Sequence, residues 1–84
     1  MKLQGRNLSL RMKGEDVKLL HGELRKLGHR IAAAETSKQL FGASTRQAVM
    51  DFQEKHRLKT TGVVDERTAK RINAEVGELP QPEP

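Results

Sequence analysis

Histidine and serine are the residue types of this sequence most suited to catalysis or metal binding, and their spacing indicates neither. No two of His21, His29 and His56 are four residues apart, as two ligands on one helix face would be, and the chain has no cysteine, so no metal pattern is present. A nucleophilic Ser44 would need an oriented base beside it, and the sequence indicates none. We therefore predict no catalytic residue, no metal site and no cofactor.

The acidic residues are equally poor candidates for acid–base chemistry. Glu15, Asp16, Asp51 and Glu54 fall on helix faces that the apolar pattern predicts to be exposed, where solvation alone explains a carboxylate. The chain also has no phosphate-binding loop and no dinucleotide fingerprint. These residues therefore favour a binding protein over an enzyme.

Composition predicts a single small helical domain that attracts anions. The 84 residues are 35% hydrophobic and 32% charged, and 16 Lys and Arg against 11 Asp and Glu give a net charge of +5. Nucleic acid, anionic lipid and acidic cell-wall polymer are all partners that such a charge attracts. No apolar stretch has the length of a signal peptide or a transmembrane helix, so an export signal is expected outside this sequence.

The spacing of apolar residues predicts the helices that would position these side chains. The first helix is predicted between Gly14 and Gly28. Its apolar residues recur at spacings of three and four, which is the period of one helical face, at Val17, Leu20, Leu24 and Leu27. Residues 29–41 break this pattern and are predicted to form a loop, although residues 32–39 could form one helical turn.

A second and a third helix repeat the same organisation. Ser44 is predicted to cap the second helix with Gln47 completing a capping box, and Asp65 is predicted to cap the third helix after a short Val63–Val64 extended piece. The predicted inner faces are Ala48, Val49 and Phe52 in the second helix and Ala69, Ile72 and Val76 in the third. Residues 17–21 and 49–53 share an apolar-x-x-apolar-polar unit, which favours an internal duplication.

A basic three-helix domain is also typical of helix-turn-helix proteins, so nucleic acid is a second class of partner. A helix-turn-helix joins its last two helices by about three or four residues. Here Leu58 to Val64 intervene, and this length argues against nucleic acid.

The order of these signals resembles the peptidoglycan-binding domain type 1 family, small helical modules attached to cell-wall hydrolases and other exported proteins. The resemblance runs from about Leu10 to Ile72, through LRMKGEDVKLLHGELRKLG, FGASTRQAVMDFQEKHRL and TGVVDERTAKRI. Its most specific part is F-G-x-x-T-x-x-A-V-x-x-F-Q, filled here by Phe41, Gly42, Thr45, Ala48, Val49, Phe52 and Gln53.

The resemblance implies an all-α fold, a compact three-helix bundle over residues 10–77. Residues 1–9 would be an N-terminal extension and residues 78–84, with all three prolines, a tail or linker. The implied function is noncatalytic attachment to bacterial peptidoglycan, tethering an attached catalytic or toxin domain outside the cytoplasm. The alternative is a protein-interaction module that keeps the fold without the wall ligand, with Met12, Leu19 and Met50 as its exposed apolar patch.

Three positions and one loop depart from the family pattern, and the loop, from Ile31 to Leu40, is longer than in the shortest members. His21 stands in place of the usual glutamine, His29 in place of a common tyrosine and Ala69 in place of a common tryptophan. With no Tyr or Trp, the chain would hold wall polymer by polar contacts and charge. The expected ligand-binding residues lie around the start of the second helix, where a helix N-terminus and cations suit a stem-peptide carboxylate; they are Lys38, Gln39, Arg46 and Gln47.

Overall fold

The computed structural model describes residues 6–77 as an all-helical domain. The helices run in the order α1 (Glu15–Lys26), α2 (Ala33–Lys38), α3 (Ala43–Lys55) and α4 (Glu66–Gly77). The long helices α1, α3 and α4 confirm the predicted three-helix bundle. Among these described residues, no helix is both long and apolar enough to cross a membrane. The predicted Pro-rich tail and the first five residues lie outside the described range.

The loop prediction for residues 29–41 was wrong over six residues, because α2 forms there. The helix is short and ends at Gln39, which adopts a left-handed conformation with φ 52°. Its one buried residue is Glu35, which apolar spacing cannot detect. A polar contact, described below, fixes this helix in place.

Two short backbone pairings join the N-terminal segment to the pieces that precede α3 and α4. Leu8 pairs with Val64, and Lys13 pairs with Leu40, both as isolated antiparallel bridges. The Val64 amide donates to the Leu8 carbonyl over 2.8 Å, and the reverse bond is 3.0 Å. The side chain of Leu8 is fully buried, so the core begins two residues before Leu10.

The core is aliphatic around two phenylalanines, as the composition requires. It consists of Leu8, Val17, Leu20, Leu24, Phe41, Ala48, Val49, Phe52, Val64, Ala69 and Ile72. Val76 packs against this cluster and is half-buried. The predicted inner faces of the three long helices are therefore confirmed.

Asp16 is buried, which corrects the prediction that it is solvent-exposed. The Arg6 Nε donates to Asp16 Oδ2 over 2.9 Å, and a terminal nitrogen of Arg6 donates to Oδ1 over 3.0 Å. The hydrogen bond from Arg6 lowers the pKa of Asp16, against the opposing effect of burial. This ion pair fastens the segment before α1 to the first turn of that helix.

Candidate functional site

The N-terminus of α3, where we expected an anionic ligand, is occupied by the carboxylate of Glu35. Ser44 does not cap the helix: the N-cap is Gly42 and it makes no side-chain cap bond. Glu35 instead accepts five hydrogen bonds, from the amides of Gly42, Ser44 and Thr45 and from the hydroxyls of Ser44 and Thr45, at 2.6 to 3.0 Å. We call this arrangement the Glu35 clamp. It leaves these amides no bond to offer a ligand.

The Glu35 clamp makes the fold sensitive to acid. Burial alone would raise the pKa of Glu35, but the hydrogen bonds from Ser44 and Thr45 outweigh it and lower the pKa from 4.5 to about 2. A carboxylate whose pKa is depressed in the folded state stabilises the protein above its unfolded pKa, and this contribution disappears as the pH falls from about 4.5 toward 2.

We therefore expect the free energy of unfolding to fall by about 3 kcal/mol between pH 6 and pH 2, from the shift of Glu35 at about 1.4 kcal/mol per pKa unit. Urea unfolding followed by circular dichroism across this range measures the loss. The variant Glu35→Gln, which does not titrate, should show a distinctly flatter pH profile. Equal slopes for the two proteins would contradict the role given to Glu35.

His21 continues the clamp into the core as a neutral side chain. Its Nε2 lies 2.8 Å from Thr45 Oγ1, which itself donates to Glu35. Since that hydroxyl proton is used, Nε2 must carry the proton and Thr45 must accept it. Nδ1 is buried. Burial lowers the pKa of His21, against the charge of Glu35 and a backbone contact with Leu40, and this favours the neutral form of the histidine.

A groove centred on His29 is the best candidate for a binding surface. Three adjoining depressions of about 340, 550 and 320 Å³ share this residue, and we call them together the His29 groove. Besides His29, the polar residues that line them are Lys26, Lys55, His56 and Glu75 in the first, Arg25, Arg30 and Thr36 in the second, and Arg30, Ser44, Gln47 and Asp51 in the third. The groove thus lies between the loop after α1 and the outer side of α3.

Two imidazoles pack against Phe52 in the groove. The ring centroid of His56 lies 4.4 Å from that of Phe52, and the ring of His29 meets Phe52 edge-on at 6.5 Å. Phe52 itself is only 1% exposed, so it offers no open face to a sugar. Burial lowers the pKa of His29, with nearby Lys55 and His56 adding to the effect and Asp51 opposing it.

Cations outnumber available carboxylates in the His29 groove. Within residues 6–77, no carboxylate lies within ion-pair distance of Arg25, Lys26, Arg30 or Lys55. The two acids of the groove are already engaged: Glu75 accepts from Arg71 over 2.8 Å, and Asp51 accepts from Gln47 over 2.9 Å. The groove is therefore chemically suited to a ligand that carries carboxylates.

No set of three histidine or acidic side chains within residues 6–77 is arranged to hold a metal ion. His56 Nδ1 lies 3.4 Å from both Glu75 Oε1 and a terminal nitrogen of Arg71. A guanidinium in contact with this imidazole opposes the binding of a cation there.

Comparison with known proteins places this geometry in a family. Residues 13–72 match the family model described as "Putative peptidoglycan binding domain", which covers more than half of the chain. The chain belongs to this family. The arrangement of three long helices and one short helix in residues 6–77 is thus the fold of a peptidoglycan-binding domain. A comparison with curated proteins finds no match.

Solved structures share the fold of this peptidoglycan-binding domain. A fused Zn-dependent amidase/peptidase/peptidoglycan-binding domain-containing protein from Clostridium acetobutylicum is 34% identical with a TM-score of 0.73, over 81% of this chain and 29% of that one. A Burkholderia AP3 phage endolysin is 31% identical with a TM-score of 0.74, over 83% of this chain and 26% of that one.

The SleB N-terminal domain is 24% identical with a TM-score of 0.80, over 89% of this chain and 99% of that one. At this identity the likeness concerns the fold alone. The chain spans less than a third of the length of the Clostridium acetobutylicum protein and of the phage endolysin.

The structure brings only one of the four expected ligand-binding residues of this peptidoglycan-binding domain into the groove. Gln47 lines it. Lys38 is exposed at the last position of α2, and the Gln39 carbonyl accepts from the Gly14 amide over 3.2 Å. Arg46 lies against Gly62, where an added Cβ would be 3.1 Å from its Cγ. The sequence patterns did not single out the cations on either side of His29, which line the groove.

Proposed function

We propose that this chain is a noncatalytic module that binds the peptidoglycan of the bacterial cell wall through the His29 groove. The observation that carries the proposal is the family match over residues 13–72. The cationic groove supports it independently, because the short peptides of peptidoglycan carry carboxylates. The module raises the local concentration of an attached domain at the polymer without performing a reaction.

Within peptidoglycan, we propose the stem peptide as the part that the groove contacts. A sugar ring is commonly held against an open aromatic face, and the aromatic floor of this groove, Phe52, is closed. Lys26, Lys55 and Arg30 instead offer charge-assisted hydrogen bonds to carboxylates. Gln47 extends this contact set at the start of α3, and Lys38, Gln39 and Arg46 form an outer set of candidates.

The proposed setting is outside the cytoplasm, where peptidoglycan lies. The similar amidase and endolysin chains support an attached catalytic domain, since each is more than three times as long as the matched part. The binding domain would then comprise residues 10–77 together with Leu8, whose side chain lies in the core, and the Pro-rich residues 78–84 would be the linker.

Co-sedimentation with purified insoluble sacculi tests the proposal at about 0.15 M and about 0.5 M salt. The higher salt concentration screens the general attraction between a basic protein and any polyanion, so binding that persists there is specific. Wild-type protein is expected to sediment at both concentrations. The variant Lys26→Glu/Lys55→Glu is expected to bind at least about tenfold more weakly, because two charge-assisted contacts become repulsive.

The matched control is Lys13→Glu/Lys18→Glu, which changes the net charge equally at two exposed lysines outside the His29 groove. It should bind within about twofold of wild type, since distant surface charges are screened. Failure of wild-type protein to sediment at either salt concentration would overturn wall binding. Equal losses in both variants would overturn the assignment to the groove.

The exposed leucines favour one second candidate function, docking to a protein partner. Leu10 and Leu19 are 45% and 51% exposed, while Met12 and Met50 of the expected patch are half-buried. If sacculi do not retain the protein, Leu19→Ser should disrupt an interaction with the attached domain, measured as increased protease cleavage between the two. An unchanged cleavage rate would contradict this alternative.

A further inference from the structure

The internal duplication expected from residues 17–21 and 49–53 has a counterpart in the hydrogen bonds of the structure. His21 of α1 contacts the hydroxyl of Thr45 over 2.8 Å, and Gln53 of α3 donates to the hydroxyl of Thr68 over 3.1 Å. Thr45 and Thr68 are each the third residue of their own helix, α3 and α4. The two halves of the domain thus connect one long helix to the next long helix by the same kind of buried polar pair.

A carboxylate accepts a hydrogen bond from the backbone amide of each of these threonines. The Thr45 amide donates to Glu35 over 3.0 Å, and the Thr68 amide donates to Asp65 over 2.8 Å. Each following helix is also preceded by an extended piece that bridges to the N-terminal segment. The starts of α3 and α4 are therefore equivalent positions in a repeated unit.

A second groove lies at the start of α4, in the position that the third depression of the His29 groove takes at the start of α3. The second and fifth residues of α3, Ser44 and Gln47, line the first groove. The second and fifth residues of α4, Arg67 and Lys70, line a depression of about 630 Å³. The loop after α3 supplies its facing wall through Lys59, as the loop after α1 supplies His29. We call this depression the Lys59 groove.

We propose that the Lys59 groove is a second binding site for the carboxylate-bearing stem peptide, so that one domain holds two peptides of the polymer. This inference rests on the proposed function of the His29 groove and extends it. A wall polymer presents the same peptide at regular intervals, so a duplicated fold with two equivalent grooves matches a repetitive ligand. The second contact is intramolecular and raises the overall avidity.

The charges of the Lys59 groove fit this ligand. Among residues 6–77, no carboxylate lies within ion-pair distance of Lys59 or Arg67. Asp65 directs its carboxylate to the Thr68 amide. Glu66 pairs with Lys70 over 3.6 Å, with both side chains largely exposed, and exposed pairs of this kind are weak. A peptide carboxylate can therefore compete for Lys70 while it contacts Lys59 and Arg67.

A titration with a soluble disaccharide-tetrapeptide from digested peptidoglycan tests the proposal by amide NMR. In wild-type protein, the amide signals of both grooves are expected to shift, with a total stoichiometry of about two peptides per chain. Lys59→Glu/Arg67→Glu should abolish the shifts around α4 and preserve those around His29. This variant should also bind sacculi at least about tenfold more weakly than wild type, because avidity is lost.

The outcomes separate this inference from the proposed function. Shifts confined to the His29 groove at a stoichiometry of one, with unchanged sacculus binding by Lys59→Glu/Arg67→Glu, would overturn the second site and leave wall binding intact. No shift in either groove and no binding to sacculi would overturn both. Shifts in both grooves that Lys13→Glu/Lys18→Glu removes equally would also overturn the second site, by showing attraction to charge alone.

Discussion

Replacing Glu35 by alanine is expected to lower the free energy of unfolding by about 3–5 kcal/mol, since several buried donors would lose their acceptor at once. The carboxylate accepts three amides and two hydroxyls around the first turn of α3. For a domain of this size, whose total stability is about 4–13 kcal/mol, such a loss is a large fraction of the whole. Urea unfolding followed by circular dichroism measures it.

Two further variants keep this prediction testable if Glu35→Ala does not fold. Glu35→Gln retains one carbonyl oxygen and is expected to cost about half as much, because some donors keep an acceptor. Glu54→Ala, on the exposed side of α3, should change the stability by less than about 0.5 kcal/mol. A loss below about 1 kcal/mol in Glu35→Ala would contradict the clamp.

Gly42 offers an independent test of the Glu35 clamp, because the clamp leaves no space for a side chain at this position. A Cβ at Gly42 would lie 2.5 Å from the Glu35 Cδ and 2.8 Å from its Cγ. Gly42→Ala should therefore destabilise the wild type but cost much less in a Glu35→Ala background, where the clashing atoms are gone. The double-mutant cycle should give a coupling of about 1–3 kcal/mol.

The sequence predicts those parts of this fold that depend on neighbours along the chain. The apolar period at Val17, Leu20 and Leu24 predicts a helix because residues three and four apart share a face. The cap at Asp65 follows from its position just before α4, and its bond to Thr68 confirms it. Local spacing carries this information, and the structure agrees with it.

The Glu35 clamp and α2 could not be predicted in this way. Glu35 acts on residues seven to ten positions later, so no local capping pattern indicates it, and Ser44 satisfied the local pattern instead. A six-residue helix has too few positions to show a period. Its stability comes from the tertiary contact of Glu35, and no sequence pattern distinguishes this glutamate from the others.

The grooves were beyond sequence reasoning for a related reason. A binding surface depends on which loop faces which helix, and the loop after α1 meets the outer side of α3 only in the folded chain. Arg46 and Gln47 are adjacent in sequence, yet Gln47 lines the His29 groove and Arg46 lies against Gly62. A helix separates consecutive residues by about 100°, so proximity in sequence does not define a site.

Gln53 holds the second half of the domain together as the Glu35 clamp holds the first. Its Nε2 donates to the Val63 carbonyl over 2.9 Å and to Thr68, while its Oε1 accepts from the amides of Thr61 and Gly62 at 3.0 Å. The side chain is 1% exposed. Since it satisfies two amides and a carbonyl of one loop, its amide group fixes the path of the chain into α4.

We expect Gln53→Leu to lower the free energy of unfolding by about 3–4 kcal/mol, because leucine fills a similar volume but leaves these backbone groups without partners. Urea unfolding measures the loss. Gln47→Leu, on the exposed side of the same helix, is the matched control and should change the stability by less than about 1 kcal/mol. A similar small change in Gln53→Leu would contradict the role of the amide group.

Gln53→Glu separates the donor of this side chain from its acceptor. Glutamate retains the oxygen that accepts from Thr61 and Gly62, but an ionised carboxylate would face the Val63 carbonyl, to which Nε2 now donates. We expect burial and this repulsion to outweigh the two donating amides and to raise the pKa of the introduced group. Its contribution to stability is then present below its unfolded pKa and is lost as the pH rises. The stability gap to wild type should therefore narrow from pH 7 to pH 4, opposite in sign to the titration of Glu35. A gap that is constant across this range would show that the hydrogen bond donated to Val63 contributes little.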